Sequence, residues 1–214
     1  MLVSAASTLL GAILRLVTSA QGHWQGCPPS AEQRIYFANH QSHVDWVLIW
    51  ATLPADLRQR TRPIAARDYW QASRLRHWLT REVFNAVYVN RQRTDDQDPL
   101  EPLVEALHGG DSIVIFPEGT RGHAVVPQAF KSGLFHLAQA FPQVPLVPVW
   151  MSNVQKVLPK NEVVPVPMLC VATYGTPLQL EPDEEKAAFL ARTRQALLDL
   201  GQARGDLDAS GGPA

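Results

Sequence analysis

Arg34-Ile35-Tyr36-Phe37-Ala38-Asn39-His40-Gln41-Ser42-His43-Val44-Asp45 runs straight into Trp46-Val47-Leu48-Ile49-Trp50-Ala51-Thr52-Leu53. Residues 34–38 form a short β-prone run, and Asn39-His40 closes it. Residues 45–53 read as a helix with an acid in its first turn, stopped near Pro54. A strand therefore passes to a helix across a polar turn that holds two histidines and a carboxylate.

The same grammar repeats outward. Residues 63–66 and 87–89 are short strand candidates, and a helix is expected from Asp68-Tyr69-Trp70 to about Arg81. Residues 94–99 make an acidic turn, and 100–107 make a helix ended by Gly109-Gly110. Ser112-Ile113-Val114-Ile115-Phe116 is a continuous apolar run, as in a strand buried on both faces. A helix is expected over 128–141, strands over 144–149 and 168–173, and a last helix over 189–200. Strands alternating with helices define an α/β fold with a mixed, partly parallel central sheet flanked by helices. Residues 23–203 make the main domain. Residues 21–33, with Gly22, Gly26 and Pro28-Pro29, suit a connector, and the chain from about Gly201, in particular 204–214, reads as a loose, flexible tail.

The chain has 214 residues, enough for one domain with a substantial core. Its net charge of −1 gives no support to a nucleic-acid partner. Charge is nonetheless uneven. Seven of the fifteen arginines lie between Arg58 and Arg81, against the single acid Asp68, which points to an anionic partner at one surface. Cys27 and Cys170 have no metal-type spacing and read as a free, reduced pair in a cytosolic environment, with a structural disulfide as the lesser alternative.

His40 and Asp45 stand five positions apart. A neutral histidine can take an alcohol proton near neutral pH, and it does so better when a carboxylate fixes its tautomer. The turn-to-helix junction can fold the Asp45 carboxylate back onto the ring, which a straight strand could not. Asp45 could alternatively be a helix-start acid beside a surface histidine. His40, His43 and Asp45 could also suggest a metal, but their spacing matches no familiar hydrolase site and no later cluster completes one. His43 reads as a structural residue or as one that supports the site residues from behind. No serine or cysteine elbow accompanies the histidine, so direct attack by a hydroxyl is preferred over a covalent intermediate.

About seventy residues later comes Phe116-Pro117-Glu118-Gly119-Thr120-Arg121. Together with Asn39-His40-x-Ser42-x2-Asp45, it resembles the glycerolipid acyltransferase family, over most of residues 34–180. The family includes bacterial 1-acyl-glycerol-3-phosphate acyltransferases. Weaker blocks agree: Val87-Tyr88-Val89-Asn90-Arg91 resembles the family's strand-plus-arginine block, with Ala86 where glycine is usual. Leu146-Val147-Pro148-Val149 resembles its apolar block, and Lys131 with Gly133 its Lys-x-Gly. Gly122 stands where serine is commoner.

The resemblance implies a catalytic base, His40, with Asp45 as its partner. It also implies an acceptor-phosphate site of Arg91, Glu118, Gly119, Thr120 and Arg121, supported by Asn39, Ser42, Lys131 and Pro148. Arginine forks suit phosphate oxygens. Glu118 would repel a phosphate, so it is expected to accept hydrogen bonds from the acceptor or to orient Arg121. The implied activity is O-acyl transfer from acyl-CoA or acyl carrier protein to a lysophospholipid, foremost 1-acyl-sn-glycerol-3-phosphate, with no tightly bound cofactor and no metal. Remodelling of another lysophospholipid and a catalytically silent lipid-binding protein are the alternatives.

Two segments bear on a membrane. Residues 1–22 read as an apolar helix, and residues 1–20 carry one charged side chain, Arg15. It is expected to lie in or dip into one leaflet, with Arg15 reaching the headgroups. An apolar helix packed on the domain is the plainer alternative. Residues 68–79 set Trp70, Leu75, Trp78 and Leu79 among arginines, which suits a phospholipid headgroup layer, a core-packing amphipathic helix or the phosphates of coenzyme A equally. With the resemblance, these features place the protein on the cytoplasmic face of the inner membrane, peripheral or monotopic.

Overall fold

The computed structural model describes residues 19–42, 45–67, 73–89, 98–122, 124–152 and 170–208. Residues 1–18 of the expected N-terminal helix, His43, the start of the 68–81 helix, Arg91, the acidic turn over 94–97, the start of the last strand and residues 209–214 lie outside the described residues, while residues 19–22 of that expected helix are not helical and Gln21-Gly22 begin a strand.

Among the described residues, seven strands form one sheet: β1 (Gln21–Trp24), β2 (Ile35–Ala38), β3 (Thr61–Ala66), β4 (Val87–Val89), β5 (Ser112–Ile115), β6 (Leu146–Ser152) and β7 (Val171–Tyr174). Their order is β1-β7-β6-β2-β5-β3-β4. Only the β6–β7 pair is antiparallel; the five other pairings are parallel. The described helices are α1 (Asp45–Thr52), α2 (Ala55–Gln59), α3 (Arg74–Trp78), α4 (Glu101–His108), α5 (Gly133–Ala140) and α6 (Lys186–Ala203).

Helices cover both faces, which is why the central strands are apolar without alternation. Ile35, Phe37, Ile113 and Ile115 face a core shared with Leu103 and Leu107 of α4, Leu134 and Leu137 of α5, and Phe189 and Leu197 of α6. Tyr36, Ala38, Val114 and Val147 face the other core, with Leu48 and Ile49 of α1. Each buried Val, Leu, Ile or Phe among these contributes about 1.5–3 kcal/mol. All eight residues of α1 are buried. Its far side is closed by Phe84, whose ring meets Trp46 and Trp50 edge-on, at 4.8 Å from each. A helix covered on two sides has no polar stripe, so residues 45–53 show none.

Several elements differ from their sequence reading. Gln21–Trp24, expected in a connector, is an edge strand pairing with β7, so a boundary at 22/23 falls inside β1. The helix expected to reach Arg81 is α over Arg74–Trp78 and then widens into a π turn over Leu79–Val83. The helix expected from residue 128 begins only at Gly133. Residues 201–208, the described part of the tail expected from Gly201, are built into the fold instead. Helix α6 runs to Ala203, Leu207 is buried, and Asp206 Oδ2 accepts hydrogen bonds from Trp150 Nε1 at 2.7 Å and from the Ser152 hydroxyl. Cys27 and Cys170 are both free and buried, and burial pushes the Cys170 thiol up to about 11.

Candidate active site

Strands β2 and β5 are parallel neighbours, with Phe37 opposite Ile115. Asn39-His40 and Phe116-Pro117-Glu118 therefore leave the sheet side by side at its carboxyl edge, where open α/β sheets place their ligands. Asp45 is the first residue of α1 and is fully buried. Its Oδ2 accepts the Gln41 N–H at 2.6 Å and the Ser42 N–H at 2.8 Å, and it lies 2.9 Å from His40 Nδ1. The 40–45 loop thus wraps one carboxylate oxygen. An oxygen already accepting two N–H bonds acts as an acceptor to the ring as well, so in the neutral imidazole Nδ1 is the donor and Nε2 the nitrogen with the lone pair. The His40 side chain is 19% exposed, and its ring stacks on Phe116 with centroids 4.2 Å apart.

The second motif grips the main chain of His40. Glu118 is 2% exposed, and its Oε1 accepts the His40 N–H at 2.8 Å. Its Oε2 accepts the Gln128 N–H, also at 2.8 Å. The Gly122 N–H donates to the His40 carbonyl at 3.0 Å. Burial pushes the Glu118 carboxyl up, and the two N–H donors act against that rise. This differs from the expectation that Glu118 meets the acceptor or orients Arg121, because both oxygens are taken by backbone N–H groups converging from distant loops.

Gly119 turns the chain at φ +69, where a side chain would be strained, and its N–H closes the turn onto the Phe116 carbonyl. A Cβ there would also lie 2.8 Å from Lys131 Cδ and 2.9 Å from Lys131 Nζ. The lysine therefore lies along this turn, tied by its N–H to the Pro117 carbonyl at 2.8 Å. Gly119, Thr120, Arg121 and Lys131 are exposed at this edge.

Asn39 is buried and pairs with the Met151 main chain through both ends of its amide, donating to the carbonyl at 3.2 Å and accepting the N–H at 2.8 Å. That fixes the start of the loop against β6. Pro148 sits within β6 opposite Phe37, and its carbonyl accepts the Gly175 N–H, so its place is in the sheet rather than at the edge. Sequence reasoning assigned no part to Phe116, Gly122 or Gln128. The aromatic at the head of the second motif was the one available signal. No group of three His, Cys, Asp or Glu positioned to hold a metal occurs among the described residues.

Fold and site together define an α/β protein with a histidine–carboxylate centre at the carboxyl edge of a largely parallel sheet. The family profile described as Acyltransferase matches residues 25–152, more than half of the chain, and the chain belongs to that family. The 1-acyl-sn-glycerol-3-phosphate acyltransferase alpha of Homo sapiens is 37% identical over 139 residues, covering 63% of this chain and 46% of the human one. The 1-acyl-sn-glycerol-3-phosphate acyltransferase of Haemophilus influenzae is 31% identical over 125 residues, covering 56% of this chain and 48% of its own. The chain thus spans about half the length of these relatives. The crystal structure of the 1-acyl-sn-glycerophosphate acyltransferase from Thermotoga maritima superposes with a TM-score of 0.73 at 19% identity, over 94% of this chain and 79% of that one; it shares the fold.

Proposed function

We propose that the protein is an O-acyltransferase that moves a fatty acyl group from acyl-CoA or acyl carrier protein to the free hydroxyl of 1-acyl-sn-glycerol-3-phosphate, giving phosphatidic acid. It works at the cytoplasmic face of the inner membrane, as a peripheral or monotopic protein. The names of the relatives support the acceptor, and the apolar N-terminal sequence supports the membrane. One observation carries the chemistry: His40 Nδ1 lies 2.9 Å from an Asp45 oxygen that two backbone N–H groups already hold as an acceptor.

In this reading His40 Nε2 takes the hydroxyl proton as the oxygen attacks the thioester carbonyl. A carbon–oxygen bond forms, the carbon–sulfur bond breaks, and the departing thiolate recovers the proton from the imidazolium. Asp45 stabilises that imidazolium and keeps Nε2 as the free nitrogen. Arg121 and Lys131, with Thr120 at the same edge, supply positive charge for the acceptor phosphate, and the resemblance adds Arg91 to that role. Ser42 and Asn39 hold the loop.

The test is acyl transfer by the full chain on vesicles, with several lysolipids offered against acyl-CoA and acyl carrier protein. Lysophosphatidate should be the preferred acceptor. His40→Ala should lower kcat by about 10²–10⁴-fold with lysolipid binding intact. Substantial turnover in that variant overturns the base assignment. Equal use of lysolipids without a terminal phosphate overturns the acceptor.

A further inference from the structure

We propose that Glu118 is a positioning residue that aims His40 through its main chain, and that the acceptor is bound by the second motif without it. The inference rests on His40 as the base. Glu118 is almost wholly shielded from solvent, and each of its oxygens is occupied by a different backbone N–H, one from His40 and one from Gln128. A lipid phosphate would have to strip a buried carboxylate of these bonds and then meet its negative charge at close range.

The same motif touches His40 in two more ways. Phe116 supports the flat of the ring, and the Gly122 N–H holds the carbonyl. The His40 N–H, carbonyl and ring face are thus all held by residues 116–122, while Asp45 holds the ring edge. Such a histidine has little freedom to turn away from the hydroxyl it must deprotonate. Rigid placement of this kind raises the rate of the chemical step without adding any affinity for substrate. The second motif then divides by exposure. Phe116, Glu118 and Gly122 face the base, and Thr120 and Arg121 stand open at the edge.

The chemistry explains why the residue is a carboxylate. Two N–H donors aimed at two oxygens need two acceptors. A glutamine fills the same space but offers one acceptor, and it sets an NH₂ against the remaining N–H. Glu118→Gln is therefore a near-isosteric change that breaks one of the two ties.

The experiment measures Glu118→Gln and, separately, Phe116→Leu in the full chain in detergent. Amide hydrogen exchange is followed at His40 and Gln128, dissociation constants are taken for 1-acyl-sn-glycerol-3-phosphate, and kcat and KM are taken for acyl transfer. The expected result for Glu118→Gln is faster exchange at His40 or Gln128, kcat lower by about 10–100-fold, and acceptor Kd and KM within about twofold of the original. These are the orders expected for a misplaced catalytic group. Phe116→Leu should show the same split and serves if Glu118→Gln does not fold. A raised acceptor Kd or KM at unchanged kcat would make Glu118 an acceptor ligand and overturn the inference, as would unaltered protection at both amides. The exchange and binding measurements need no turnover. Full activity in His40→Ala would sink the base assignment and leave their outcome on Glu118 to be read separately.

Discussion

Arg121 and Lys131 present their charge at the carboxyl edge for different reasons. Arg121 is exposed directly after the turn that Gly119 makes possible, whereas Lys131 reaches the turn because Gly119 has no Cβ in its way. A guanidinium meets two phosphate oxygens at once, while an ammonium acts as a point charge. Arg121→Ala should therefore raise the acceptor KM by about 10–100-fold, the loss of one to two charge-assisted hydrogen bonds. The kcat should stay within a few-fold, and Arg121→Lys should recover only part. Steady-state kinetics with lysophosphatidate at saturating donor read this directly, and an unchanged acceptor KM would remove Arg121 from the clamp. The residues alone allowed the His40–Asp45 approach, since a helix beginning at Asp45 can turn its carboxylate back toward the preceding loop, but they left open a helix-start acid beside a surface histidine; the resemblance to the family chose between them. The placement of Glu118 was not legible. Reading its charge said only that it should avoid a phosphate. No local pattern announces that the His40 and Gln128 amides converge on its oxygens.

Elements were misread where distant groups outcompeted local preference. Residues 128–132 have a composition that suits a first helical turn. The Gln128 N–H goes to Glu118 and the Lys131 N–H goes to the Pro117 carbonyl, so the segment docks on the motif and the helix waits until Gly133. β1 hides because Gly22 within it, and Gly26 just after it, give the stretch a loop's composition, and its partner β7 lies far along the chain. α3 makes the opposite point. It was foreseen as amphipathic, with membrane, core and coenzyme A readings left open. Its Trp78 is 48% exposed, a large apolar ring in the open, with exposed Arg74 and Arg81 on the same segment. An indole and guanidinium groups together favour a headgroup layer over open water. Trp78→Ser should weaken sedimentation with vesicles containing anionic lipid by several-fold and leave the melting temperature within about 1 °C, because an exposed ring contributes little to the core. Binding should also weaken with added salt. Undiminished vesicle binding in the variant would assign the membrane contact elsewhere.

Across the whole molecule, alternating strands and helices made a largely parallel α/β sheet readable, but strand order was beyond reach. Nothing local says that β5 inserts between β2 and β3, yet that insertion sets the two motifs side by side. The chain end matters to the same edge. Asn39 pairs with the Met151 main chain, and the side chains of Trp150 and Ser152, on either side of Met151, both reach Asp206. Leu207 packs into the core beside them. The last turn after α6 therefore clasps the strand that anchors the histidine loop. Its polar sequence gave no hint of this, because only Leu207 carries the apolar signal. Asp206→Ala leaves the buried Trp150 N–H without its acceptor, at a cost of about 1–3 kcal/mol. In a domain of this size each 1 kcal/mol lowers Tm by about 2–4 °C. Truncation after Gly205 removes Leu207 as well and should lower Tm further. If the clasp acts on stability alone, kcat measured well below Tm should change less than about threefold in Asp206→Ala. A melting temperature unmoved by the truncation would return this segment to the status of a tail, and a large loss of kcat at unchanged Tm would show the clasp acting on the base itself.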